Sequence, residues 1–201
     1  MIAVNIEITG MNSVRGALNK VAVDAPKIIH RVIGREALEF AAKIQKGIRN
    51  QAPGGQPLLP LADSTKRMKK SSKALIDKGD LVRSIKATDI TGELGGKATA
   101  WFVGVHRKAY SNDGKELVNI AEVHEFGTKP YKIKVTNKMR RFFMAMTIAG
   151  KMKGPIPPGK TIINHPGVPA RPFIRPTYVE WQSGDGQGRI AKEVARALGL
   201  R

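Results

Sequence analysis

Residues 24–55 read DAPKIIHRVIGREALEFAAKIQKGIRNQAPGG, and the spacing of their apolar side chains decides the architecture. Ile29, Ile33, Ala37, Phe40 or Ala41, Ile44 and Ile48 recur at the interval that puts side chains on one face of an α-helix. Asp24 followed by Pro26 has the order of an N-cap and a first-turn proline, because proline lacks an amide hydrogen that a helix start leaves unbonded anyway. Ala52-Pro53-Gly54-Gly55 stops the pattern. The other face carries Lys27, Arg31, Arg35, Glu36, Glu39, Lys43 and Lys46. A helix of ~25 residues is ~37 Å long at ~1.5 Å per residue, enough to span the back of a sheet.

Upstream, Ile2, Val4, Ile6 and Ile8 alternate as one face of a strand closed by Thr9-Gly10, and Asn12 or Ser13 then caps a short helix through Val14, Leu18 and Val21. Downstream, residues 53–74 mix Pro, Gly, Ser and Lys without steady periodicity and read as an exposed basic loop. Leu81 to Ile90 and Thr99 to Val105 read as strands joined by a glycine-rich hairpin connection, Thr91 to Gly96. Val118 to Phe126 reads as a short helix ended by Gly127, Tyr131 to Val135 as a strand, and Lys138 to Met152 as a helix. The proline-rich segment Gly154 to Gly159 is a loop, Pro176 opens a helix at Thr177, Gly184 to Gly188 interrupts it, and 189–201 forms a terminal helix. The expected fold is α+β over a single domain, 1–201. An antiparallel or mixed sheet packs against one long helix, with a Pro/Gly-rich basic insertion at 129–167.

Hydrophobic residues make up 41% of the chain but aromatic ones only 5%, so the core must be built mainly from Ile, Val, Leu and Ala. Absence of cysteine excludes disulfides, thiolate metal sites and cysteine nucleophiles, and is compatible with a reducing cytoplasm. Met1 to Gly10 carries Glu7 and lacks the apolar block of a secretion signal, and no apolar run approaches the ~20 residues that cross a bilayer; a soluble protein is expected. The formal charge of +19 points to a polyanionic or acidic partner. From Phe126 to Val179 there is no Asp or Glu, while Lys132, Lys134, Arg140 and Arg141 fall inside. A second basic cluster holds Lys66, Arg67, Lys69, Lys70 and Lys73.

Catalytic patterns are missing. His30, His106, His124 and His165 have no spacing that pairs two on a helix face, and position 128, where His124-Glu125 would need a second histidine for a zinc-protease motif, is Thr128. There is no Gly-x-Ser-x-Gly elbow. Asp77 and Asp80 fit a turn and cap before Leu81 better than an acid/base pair. The Gly-Lys-Thr at 159–161 follows three prolines, unlike a phosphate loop. No enzyme, metal site or cofactor is expected.

Three blocks remain: Leu75 to Ile85 (LIDKGDLVRSI), Ala121 to Thr128 (AEVHEFGT) and Val168 to Pro176 (VPARPFIRP), with Val103-Gly104 between the first two. In this order they resemble the tailed-phage head-tail joining family, also called tail-completion, neck or virion-morphogenesis proteins. The long 129–167 insertion and the glycine-broken C-terminal helix depart from that pattern. The resemblance implies a structural subunit of a sixfold ring in the virion neck, made in the host cytoplasm. Its partners would be copies of itself, head connector or stopper proteins, and tail tube or terminator proteins. It marks Asp80, Leu81, His124, Glu125, Phe126, Gly127, Arg171, Pro172 and Phe173 as interface or motif candidates.

Phe126 and Phe173 are expected to anchor irregular segments in the core, and Gly127 to supply a backbone geometry that a side chain opposes. Arg171, held extended between Ala170 and Pro172, suits either a bidentate bond to Glu125 or a carbonyl of its own subunit. Lys66, Arg67, Lys69, Lys70, Lys132, Lys134, Arg140 and Arg141 are candidates to face acidic rings or DNA in a channel. The alternative is a sequence-independent nucleic-acid-binding protein, against which stand the few aromatics and the absence of a helix-turn-helix or zinc module.

Overall fold

A computed structural model describes residues 11–69, 71–96 and 98–199. The strand expected at Ile2 to Ile8 lies outside the described residues. The fold is α+β: one long helix backs a small antiparallel sheet, and a second small sheet belongs to a separate excursion.

Helix α1 runs unbroken through Met11–Arg49, with Pro26 inside it. The expected helix start at Asp24 is therefore corrected, as is the separate short helix before it. Proline at position 26 leaves the Ala22 carbonyl without its amide, but both residues are exposed, so water can take the bond. Of the apolar stripe, Ala37, Ala41, Ile44 and Ile48 are buried, while nearer the start Ile29 and Ile33 are half-buried and Val32 beside them is buried.

The chain next turns through a 3-10 segment, Pro53–Gly55, and forms a short helix α2, Asp63–Met68. Residues 53–74 are thus partly ordered, not a featureless loop. Gly54 has φ 58°, and a Cβ there would sit 2.3 Å from Pro176 backbone, so this turn is pinned against the C-terminal region.

Leu81 and Val82 are both buried, which a strand's alternation forbids for neighbours facing one core but a helix allows. Accordingly Asp80–Ser84 is a short helix, α3, and strand β1 begins only at Ile85, running Ile85–Asp89. The expected strand from Leu81 is corrected to that extent. β1 pairs antiparallel with β2, Trp101–Val105, placing Ile85 opposite Val105 and Asp89 opposite Trp101 across the expected hairpin. The sheet lies on α1 so closely that a Cβ on Gly34 would meet the Trp101 ring at 2.6 Å.

Helix α4 is Leu117–Phe126. Beyond it β3, Tyr131–Lys134, and β4, Ile162–His165, pair antiparallel and enclose helix α5, Asn137–Ile148, capped by the Thr136 hydroxyl. This β-α-β arm fills the 129–167 insertion. Helices α6, Ile174–Ser183, and α7, Gly186–Ala197, end the described chain. Gly186 is required where they meet, since its Cβ would sit 2.2 Å from the Trp181 ring. The Trp181 indole and Arg189 both donate to Glu36, tying the C-terminal pair to α1. No described helix is long and apolar enough to cross a membrane.

Candidate functional site

The His124–Thr128 and Val168–Pro176 blocks meet in space, residues 129–167 of the arm looping out between them. Glu125, in the last turn of α4, accepts from the Phe173 and Ile174 amides through Oε2 at 2.8 and 3.0 Å, and from the Arg175 amide through Oε1 at 2.8 Å. Those are the orphan donors of the α6 N-terminus, where a carboxylate also meets the favourable end of the helix dipole. The Arg171 amide donates to the His124 carbonyl at 2.6 Å, and Thr128 exchanges two bonds with Val168.

Gly127 has φ 72° and ψ −177°, a conformation essentially reserved for glycine, and a Cβ there would meet the Val168 carbonyl oxygen at 2.8 Å. The geometry expected of it is present. Phe173 is fully buried, with Thr177 donating to its carbonyl, and Pro172 is half-buried beside it.

At this junction one of the two alternatives for Arg171 is found, the carbonyl of its own subunit, and the expectation for Phe126 is corrected. Arg171, 6% exposed, donates through Nε to the Leu59 carbonyl at 2.8 Å and through Nη2 to that of Pro60 at 2.9 Å. Within the subunit it therefore holds the 56–62 segment and does not pair with Glu125, whose oxygens are taken by amides. Phe126 is 75% exposed and anchors nothing in the core. Helix α4 buries Leu117 and Ala121, four apart, which turns Phe126 outward.

Asp80 and Leu81 lie elsewhere. Leu81 is core, whereas Asp80 binds Arg83 and accepts from the Asn112 amide at 3.3 Å, steadying the 111–116 loop. The basic candidates divide. Lys69 is half-buried and donates to the Ile76 carbonyl at 3.1 Å; burial pulls its pKa down. Arg140 donates to the Pro157 and Lys160 carbonyls at 3.0 and 2.6 Å, closing the arm. Arg67 reaches the Lys151 carbonyl at 3.4 Å. Lys66, Lys132, Lys134 and Arg141 are exposed, and Lys70 lies outside the described residues.

His124 faces a cleft shared with Lys66, Lys69, His165 and Arg171. Its Nδ1 is buried without a hydrogen-bond partner, and burial, then Arg171 and Lys69, lowers its pKa. An open apolar groove lies on the far side of α4, lined by Phe102, Val103, Val118, Phe126, Ile174 and Tyr178, with Glu122, Glu125 and Arg175 as its ionisable groups. Phe102 and Tyr178 carried no motif in the sequence; only their exposure beside Phe126 marks them. No family model, curated protein or solved structure matches the chain.

Proposed function

We propose that this chain is a structural subunit of a tailed-phage neck, forming a ring that completes the tail and joins it to the head connector. The observation that carries the reading is the junction of the two motif blocks. Glu125, Gly127, Arg171 and Phe173 lock the two blocks together, and beside that junction Phe126 stands 75% exposed. An open apolar groove lined by Phe102, Phe126 and Tyr178 beside this constrained junction fits a protein whose apolar surface is completed by assembly.

The basic surface serves the same role by facing acidic neighbours or by lining a channel for DNA, where phosphate contacts carry no sequence information. The test is depletion and add-back in infected-cell extracts. Extracts lacking only this protein should accumulate filled heads and separate tails, and purified protein should restore joined particles. Normal joining in its absence would refute the reading.

A further inference from the structure

Two apolar surfaces find no partner among the described residues, and they differ in charge. The first is the groove around Phe102, Phe126 and Tyr178. Its ionisable lining is Glu122, Glu125 and Arg175, a net charge of −1 in a chain with 16 acids and 35 bases; Glu125 is committed to α6, and Glu122 and Arg175 are exposed. The second is the outer face of α5, where Phe142, Ala145 and Ile148 recur every third residue, all exposed, Ile148 at 80%. Helix α5 has no buried residue, and its other side, Met139, Phe143 and Met146, is the half-buried one. Lys138 and Arg141 flank the outer stripe, and the arm contains no acid at all. Amphipathic helices normally hide one stripe; this one leaves a second in water.

We propose that the outer face of α5 in one copy seats in the Phe126 groove of the next copy, with Lys138 or Arg141 meeting Glu122. The proposal rests on the ring reading above and names the contact that would build it. A second copy is the occupant because the chain carries both halves of a matched pair, apolar against apolar and basic against acidic. Pairing α5 with α5 would instead set like charges together. Since the two surfaces differ, the contact is heterologous, and its repetition closes a ring when the rotation permits.

The chain has no cysteine, so single variants Val118→Cys in the groove and Ala145→Cys on the outer stripe report this contact alone while keeping the aromatic rings. Mixed and oxidised, they should give the 118–145 linked dimer in excess of either homodimer by about tenfold. Glu122→Lys should abolish that linkage, and combining it with Lys138→Glu and Arg141→Glu on the partner should restore it. Dominant homodimers, an intrachain link in the dilute double variant, no link at any concentration, or loss of the link to added duplex DNA would each overturn the proposal. Joined particles separate the two ideas. A ring of this chain at the junction without the 118–145 link overturns the docking alone, whereas the link in solution with no chain at the junction overturns the ring reading alone.

Discussion

A carboxylate that accepts three amide hydrogens has nothing left for a guanidinium, which is why Glu125 and Arg171 each serve a separate part of the backbone. Glu125→Ala should cost about 2 kcal/mol, the upper range for losing a helix cap, read as a lowered urea midpoint. Gly127→Ala should cost about 2 kcal/mol or more, since it forces a side chain into a glycine-only conformation and against Val168. His124 gives a pH signature. Its folded pKa lies below the ordinary 6.5, so on acidification the unfolded chain takes up a proton that the folded one refuses. Stability is full above 6.5 and declines as pH falls below it, and His124→Gln should flatten that decline in urea midpoints taken from about pH 8 to pH 5. Asp89 acts in another window: held near 2, chiefly by bonds from Thr91 and then His30, it contributes above 3.8 and is lost as pH falls through about 2. The sequence made the need for Gly127 legible through residue type alone. It left the partner of Arg171 open, because a guanidinium's choice between carboxylate and carbonyl depends on a loop 112 residues away.

Helix α1 was readable from its stripe, yet its start was not, because Asp24-Pro26 is a good opening signal that an exposed helix can override by hydrating one carbonyl. Pro26→Ala should therefore stabilise the protein, by up to ~3 kcal/mol if the helix interior bears the full propensity difference, and raise helicity by circular dichroism. The Leu81-Val82 pair misled for a related reason. Both are strong strand or core residues, and only their joint burial with Ile85 reveals a helical turn before β1. Strand β4 spans four residues after a proline-rich loop, too short for alternation to register; its pairing with β3 across α5 is a non-local fact. Phe126 illustrates the same limit: a three-residue spacing of Ile120, Val123 and Phe126 competes with the four-residue pair Leu117 and Ala121, and packing favours the latter.

Across the molecule, stability and assembly should separate. Phe126→Ser removes an exposed ring, so its unfolding free energy should change by no more than ~0.5 kcal/mol, while its ability to restore head-tail joining in extracts should be lost. Much of the charge of +19 lies in an acid-free arm and a partly ordered basic segment, leaving Lys132 and Lys134 in solvent for other components of the particle. Its association should accordingly weaken as salt rises. Electron cryomicroscopy of joined phage particles gives the most direct reading of all this. It should reveal a closed ring of this chain between connector and tail tube, every Phe126 covered by a neighbouring subunit; particles whose neck lacks the chain, or a ring with Phe126 still open to water, would contradict it.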